Sequence, residues 1–352
     1  MLLTVLTFFL VLSILVFIHE LGHFLAAKYF GVGVEEFGFG LPPRIIGKKI
    51  KGTMYSLNWL PIGGFVKLAG EDDDESQKVK GKRQKFGKFF WARSKKERAV
   101  ILIAGVFMNF VLAVGITTFL IHQGVNEPAG RVHVEKVQPG TPAQKAGLEP
   151  GDIIQSFHTA KDLIDDTKKH AGQKVTLTVL RDGKELTLSL TPRKDPPPGE
   201  GAMGVVISDL EKKTYPLSEA PWKAIQINLE RARDMLVSLG STLWRLVTLQ
   251  PLRAEVAGPI GIAQVTGEAV KFGFKAVLEL MSILSLNLAV LNILPFPALD
   301  GGRLAFVFVE KLIGRKIRPA FERSTHQIGM IILFILILLV SLNDILRLAR
   351  GG

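Results

Sequence analysis

The chain has 352 residues, 47% of them hydrophobic, and its mean hydropathy of +0.28 is too high for an ordinary soluble protein of this length. It contains no cysteine, which excludes disulfide bonds and thiolate metal sites, so any zinc must bind to His, Asp or Glu. Its 44 Lys and Arg residues outnumber 32 Asp and Glu residues, but they crowd beside apolar segments, which favours anionic membrane lipid over nucleic acid as the partner.

Four apolar stretches are long enough to cross a bilayer core of about 30 Å, which takes about 20 helical residues. They run over 2–29, 99–121, 277–294 and 328–346. The first of them defines a first segment of the chain at 1–30. A cleaved signal peptide is the alternative for the first stretch, but no Lys or Arg precedes Lys28 and no small-residue cleavage site is evident. The expected fold class is a polytopic α-helical membrane protein with four transmembrane helices.

The first stretch contains the sequence His19-Glu20-Leu21-Gly22-His23. Two imidazoles at i and i+4 share one helical face, with the Glu20 carboxylate beside them, as in zinc hydrolases. Ionisable groups inside a membrane cost at least about 2.5 kcal/mol each unless they are paired or face a polar cavity. Core histidines with satisfied hydrogen bonds are the alternative, but the pattern predicts His19 and His23 as zinc ligands and Glu20 as the catalytic residue.

Two groups of basic residues set the expected orientation. The first, in the segment 31–98, is Lys78, Lys80, Lys82, Arg83, Lys85, Lys88, Arg93, Lys95, Lys96 and Arg98, and the second is Arg315, Lys316, Arg318 and Arg323. The positive-inside rule places both groups on the cytoplasmic side. The N-terminus and the stretch from His122 to about Lys275 are then external.

The external stretch begins with a predicted module at 126–210. Short β-type runs occupy 131–137, 174–181 and 185–191, and Asp182-Gly183 predicts a hairpin turn. A short helical turn at 141–146 precedes Gly147-Leu148-Glu149-Pro150-Gly151-Asp152 and the apolar pair Ile153-Ile154. This order resembles a bacterial PDZ domain, which implies an inserted extracytoplasmic α+β domain.

After this module, 217–249 shows apolar residues at helical spacing between charges. An interfacial amphipathic helix and a helix packed on the module are both consistent with the pattern.

A catalytic zinc normally has three protein ligands, so a third is expected beside another span. Asp300 follows the third span at the end that the orientation places on the cytoplasmic side, and His19 lies in the inner half of the first span. An N-cap of a following helix is an equally good interpretation of Asp300 taken alone.

The His-Glu-x-x-His sequence, the sequence Leu299-Asp300-Gly301 and the PDZ-like module between the second and third spans together resemble the site-2 protease family. The resemblance covers nearly the whole chain and is closest to the bacterial regulators of sigma-E protease. It implies Zn²⁺ on His19, His23 and Asp300, activation of water by Glu20, substrate contacts from Asn292, and a membrane-dipping β-type loop at 61–68.

The activity that the resemblance implies is regulated intramembrane proteolysis of single-span proteins, such as anti-sigma factors and remnant signal peptides, in the bacterial inner membrane. A substrate helix must unwind before it is cut, because its carbonyls are otherwise hydrogen-bonded. Gly63, Gly64, Phe65 and Val66 could then pair with it by β-addition, or form a re-entrant turn with packing duties only. Asn109, deep in the second span, is expected to bond across helices or to contact substrate.

Two other functions are considered. A membrane adaptor or inactive homologue would bind peptides through the PDZ-like groove without cutting them, but the complete zinc motif argues against it. A transporter is the other function considered, but four spans without an internal repeat support it poorly.

Overall fold

The computed structural model describes residues 1–71, 89–197, 199–248, 258–317 and 319–349. The chain separates into a unit formed by 1–120 and 217–352 and a second unit, 121–216, inserted between them. The basic residues from Lys78 to Lys88, together with Arg318, lie outside the described residues, so their expected placement stays a prediction.

Among the described residues, four helices are long and apolar enough to cross a membrane, which is the number that the sequence predicts. They are α1 (Leu2–Tyr29), α2 (Lys95–Gln123), α7 (Phe274–Ile293) and α9 (Pro319–Ala349). Helix α2 begins four residues before the predicted start at 99, because its first turn consists of charged residues, which a prediction based on apolar residues leaves out. The protein is thus a multi-pass membrane protein.

Most of the segment before α2 is a long β-hairpin rather than a loop. Strands β1 (Val34–Ile50) and β2 (Thr53–Leu68) pair antiparallel, with several irregularities of register. The hairpin packs on α1 and α2 through an apolar cluster that includes Ala27, Leu68 and Ile101. The sequence predicts only a short β-type element at 61–68, and this element is the end of β2.

The inserted unit is an α+β domain whose sheet has the order β6-β5-β4-β3-β7, with antiparallel neighbours. Its strands are β3 (Val125–Val137), β4 (Ile153–Ile154), β5 (Val175–Arg181), β6 (Lys184–Leu190) and β7 (Val205–Lys213), and its helices are α3 (Pro142–Lys145) and α4 (Ala160–Lys169).

The structure confirms two local predictions in this domain, a hairpin turn and a helical turn. Asp182 and Gly183 have φ values of 51° and 77° and join β5 to β6, as a two-residue hairpin requires. The helical turn predicted at 141–146 contains α3, which Thr141 caps by accepting the backbone N–H of Gln144. Strand β7 extends the domain beyond the predicted end at 210, and the PDZ assignment stays a prediction.

The helix predicted at 217–249 is α5 (Ala220–Val247). Asn228 on this helix is fully buried, and its amide donates to Oγ1 of Thr117 in α2 at 3.0 Å. Thr117 in turn lies 3.0 Å from Oγ of Ser282 in α7. These polar contacts join three helices, while an interfacial position for α5 stays a prediction.

The described residues of the unit formed by 1–120 and 217–352 also include two shorter helices, α6 (Pro259–Phe272) and α8 (Asp300–Ile313). The start of α6 is held by Asp344 of α9, whose buried carboxylate accepts the backbone N–H of Gly261 at 2.8 Å. Helix α8 is joined to α2 by a buried ion pair between Arg98 and Glu310. It begins at Asp300, so its packing determines the position of this carboxylate.

Candidate metal centre

Three potential metal ligands meet between α1 and the start of α8. Nε2 of His19 lies 2.9 Å from Oδ2 of Asp300, and Nε2 of His23 lies 3.2 Å from the same oxygen. The two Nε2 atoms are 3.2 Å apart. Both histidines are buried, although they belong to a helix that is long and apolar enough to span a membrane. Residues 277 positions apart in the chain therefore form one cluster of ligand atoms.

The spacing of these atoms fits a tetrahedral metal. Zinc bonds of about 2.0–2.2 Å to imidazole nitrogen and carboxylate oxygen place two ligands about 3.3 Å apart at the tetrahedral angle. The observed separations of 2.9 to 3.2 Å are close to this value. Two nitrogens and one oxygen match the ligand sets of catalytic zinc sites, which leave a fourth position for water or substrate.

The orientation of His23 is set by a contact on the far side of its ring. Nδ1 lies 2.8 Å from the backbone carbonyl of Ile101, and a carbonyl can only accept a hydrogen bond. Nδ1 therefore carries a proton, and a neutral His23 would present the lone pair of Nε2 to the cluster. This is the usual arrangement of a metal-bound histidine.

Asn109 provides the corresponding contact for His19. Its Nδ2 lies 3.4 Å from Nδ1 of His19, and its Oδ1 has no hydrogen-bond partner among the described residues. Exchanging the amide oxygen and nitrogen would give the unpartnered Oδ1 the Nδ1–H of His19 as a donor and would leave Nε2 free to bind metal. Asn109 is fully buried and its backbone carbonyl accepts from Ser285, so it both orients His19 and joins α2 to α7.

Sequence reasoning missed the role of Gly105. A Cβ at this position would overlap Nε2 of His23 and Cε1 of His19, so only glycine lets α2 pass this close to both imidazoles. Gly22 makes the matching approach on α1, where a Cβ would overlap the backbone of Ala104. Small residues facing each other across two apolar helices are the signal that could have found this contact.

Asp300 is not the N-cap of α8. Leu299 holds that position, and the Asp300 carboxylate faces the imidazoles. Gly301 and Gly302 allow a tight approach, because a Cβ at either would overlap backbone atoms at the end of α7 or in the segment that follows it.

The backbone just before Asp300 is held in an unusual conformation. Ala298 has a φ of 82°, which is unfavourable for a residue with a Cβ. Its N–H donates to Nδ1 of His326 on α9 at 2.9 Å. Gly329, one turn further along α9, packs so tightly on Pro297 that a Cβ would overlap it. His326 therefore contributes to positioning Asp300.

Glu20 is held by the β-hairpin. The backbone N–H of Val66 in β2 donates to Oε2 of Glu20 at 3.0 Å. Strand β2 approaches α1 closely at Gly63, where φ is 71° and a Cβ would lie 3.0 Å from Cγ1 of Val16. Gly64 pairs with Phe39, and Phe65 with Gly38, in β1. The predicted loop residues thus lie beside the motif, as part of a strand.

A second connection joins the hairpin to α8. Arg303, one turn after Asp300, forms an ion pair with Glu71, which follows β2. The other oxygen of Glu71 accepts the N–H of Leu68 at 3.3 Å. The segment that holds Glu20 and the helix that presents Asp300 are therefore joined directly.

Asn292 lies near the end of α7, with its amide 3.5 Å from Nε2 of His19. The structure therefore brings Asn292 to the cluster, together with His19, His23, Asp300 and Asn109. Contacts of Asn292, Asn109 and the residues 63–66 with a substrate stay predictions.

Comparison with known proteins agrees with this geometry. The family model described as peptidase family M50 matches residues 7–336. A protein of Clostridium perfringens, provisionally named as a zinc metalloprotease, is 33% identical over 345 residues, which cover 96% of this chain and 97% of that protein. The zinc metalloprotease RasP of Oceanobacillus iheyensis is 29% identical over 424 residues, covering 98% and 99%. The regulator of sigma-W protease RasP of Bacillus subtilis is 29% identical over 430 residues, with the same coverage.

Proposed function

The chain belongs to peptidase family M50, and we propose that it is a zinc-dependent site-2-type endopeptidase that cleaves single-span proteins inside the bacterial inner membrane. The observation that carries the proposal is the convergence of His19, His23 and Asp300, whose ligand atoms lie within 4.8 Å of one another. Two of these residues, His19 and His23, lie on a helix apolar enough to span a membrane, and they are difficult to explain there without a metal because ionisable groups are costly inside a membrane.

We assign His19, His23 and Asp300 as the protein ligands of Zn²⁺. When bound, zinc supplies a Lewis acid that makes an attacking water acidic near neutral pH and polarises the carbonyl to be cleaved. The zinc metalloprotease names of the relatives support this choice of metal. The absence of cysteine and the nitrogen and oxygen donor set fit zinc in a hydrolase.

Glu20 is the proposed general base. One of its oxygens accepts the N–H of Val66, which fixes the carboxylate, and the other can take a proton from the attacking water. The same carboxyl group then passes the proton to the leaving amine. Proton transfer by a positioned side chain contributes a factor of about 10² to 10⁴ in rate, so a substitution of Glu20 should cause a large, measurable loss of cleavage.

The substrate is proposed to bind as an extended strand. An intact transmembrane helix hides its carbonyls in hydrogen bonds, so a stretch of it must unwind before hydrolysis. The edge of β2 at Gly63 to Val66 lies beside Glu20 and offers backbone groups for pairing, with Asn292 next to the ligands.

We propose anti-sigma factors and remnant signal peptides as substrates, a role that the name of the Bacillus subtilis relative favours. The inserted α+β domain is proposed to be an extracytoplasmic PDZ-like filter on the outer part of the substrate. This orientation rests on the positive-inside rule applied to the basic segments.

The test is cleavage of a single-span model substrate by purified protein with measured zinc content. We expect about one zinc per chain, and cleavage that a chelator stops and added zinc restores. Glu20→Gln should keep the zinc and lose cleavage by about 10² or more. Cleavage that persists in this variant would refute the mechanism, while substrate binding without cleavage by the native protein would favour the adaptor function.

A further inference from the structure

A cavity of about 460 Å³ lies beside the N-terminus of α8, and Gly301, which follows Asp300, forms part of its wall. Its remaining apolar wall includes Ile293 of α7 and Leu304, Ala305 and Phe308 of α8. This volume is within the range of small-molecule sites in proteins. The cavity needs an occupant with a substantial apolar part.

The cavity lies at one end of two membrane-spanning helices. Helix α2 begins at Lys95 and α7 ends at Ile293, and both residues line the cavity. The apolar part of each span starts or stops here, so the cavity is at the depth where lipid headgroups meet acyl chains. An occupant that enters from the membrane is therefore an amphiphile.

Three lysines, Lys95, Lys96 and Lys311, also line the cavity. Lys95 donates to the backbone carbonyl of Glu310 at 2.8 Å, whereas Lys96 and Lys311 are exposed and form no ion pair within the described part of the chain. The nearby Glu310 carboxylate is buried and already paired with Arg98. The local excess of positive charge favours an anionic headgroup.

We propose that this cavity binds one anionic phospholipid, with part of an acyl chain against Ile293, Leu304 and Ala305 and the phosphate between Lys96 and Lys311. Because Gly301 and Leu304 belong to the helix that begins with Asp300, a bound lipid would pack against the support of this carboxylate. The proposal rests on the membrane position of these helices and not on the proposed proteolysis.

Native mass spectrometry of the full-length protein in detergent tests the proposal, with phosphatidylglycerol and phosphatidylcholine of identical acyl chains as probes. We expect one tightly retained phosphatidylglycerol per chain and weaker retention of phosphatidylcholine. The variant K96Q/K311Q should weaken phosphatidylglycerol retention about tenfold to thirtyfold and remove the preference, since each lysine contributes about 1 kcal/mol near an anionic headgroup.

Matched controls distinguish lipid binding in this cavity from non-specific attraction of anionic lipid to surface lysines. K48Q/K49Q removes the same charge from two exposed lysines of β1 and should retain the lipid. Ala305→Trp fills the cavity without changing charge and should abolish retention of both lipids, whereas Ala320→Trp, at an exposed position of α9, should not. Lys96 and Lys311 are exposed, so K96Q/K311Q keeps the test valid even if Ala305→Trp does not fold.

Equal retention of the two lipids by the native protein would overturn the proposal, as would full retention of phosphatidylglycerol in K96Q/K311Q or in a folded Ala305→Trp variant. Glu20→Gln should retain the lipid like the native protein. The lipid site and the proposed catalytic mechanism can therefore fail independently.

Discussion

The backbone N–H of Val66 donates a 3.0 Å hydrogen bond to the Glu20 carboxylate, which connects the β-hairpin to the zinc motif. This bond uses an N–H of β2 that is directed at α1 rather than at β1. The strand that is proposed to pair with substrate thus also holds the proposed general base. A change in this strand should therefore lower the rate of cleavage.

Val66→Pro should reduce cleavage of a model substrate by roughly tenfold to a hundredfold while zinc content stays near that of the native protein. Proline removes the N–H that fixes Glu20, and misplacement of a catalytic group by about 1 Å has costs of this order. Val66→Ala keeps the N–H and is the matched control, which should retain most activity. Full activity of Val66→Pro would show that this bond is dispensable.

Asp300→Ala should lower zinc affinity by at least about a hundredfold and abolish cleavage, because two imidazoles alone do not complete a catalytic zinc site. Zinc content after dialysis against a weak chelator measures the effect. Asp165→Ala, which removes an exposed carboxylate from α4, should bind zinc like the native protein. Unchanged zinc content in Asp300→Ala would mean that the third ligand lies elsewhere.

His326→Ala should weaken zinc binding by roughly tenfold to a hundredfold, as expected for residues that orient ligands from outside the metal site. The variant removes the acceptor for the N–H of Ala298, whose φ of 82° is otherwise unfavourable. Ala298→Gly relieves this strain, so the double variant should recover part of the lost affinity. If the double variant binds zinc no better than His326→Ala, backbone strain at Ala298 does not explain the zinc affinity that His326→Ala loses.

Arg181→Gln should destabilise the inserted domain by roughly 3 kcal/mol at neutral pH, since it leaves the buried Asp152 carboxylate without its ion-pair partner. Hydrogen exchange of β5 amides in the full-length protein measures this change. Arg193→Gln, which removes a more exposed ion pair with Glu200, is the control and should have a smaller effect.

The effect of Arg181→Gln should also depend on pH. Burial raises the pKa of Asp152, but hydrogen bonds from Arg181 and from the N–H of Glu149 outweigh it and hold the pKa below its usual range. A depressed pKa in the folded state contributes stability above the unfolded pKa of about 3.9, and this stability is lost as pH falls through the folded value. The difference between native protein and variant should therefore shrink below about pH 4, and a difference that grows on acidification would contradict the assignment.

Much of this protein could be predicted from local sequence. The four spans follow from the length and apolarity of single segments, and His19 and His23 share a helical face because four residues make about one turn. The hairpin turn at Asp182-Gly183 and the cap at Thr141 are equally local. Each of these features depends on residues within one or a few turns of the chain, so one sequence is sufficient to find them.

Tertiary structure decided how the site is completed. From the sequence, Asp300 fitted an N-cap as well as a metal ligand, and only its packing beside two imidazoles 277 and 281 residues earlier distinguishes the two. The contacts of Val66 with Glu20, of Asn109 with His19 and of His326 with Ala298 also join distant segments. Their energies depend on which helices pack together, and the close approach at Gly22 and Gly105 that permits this packing has no periodicity of its own in the sequence.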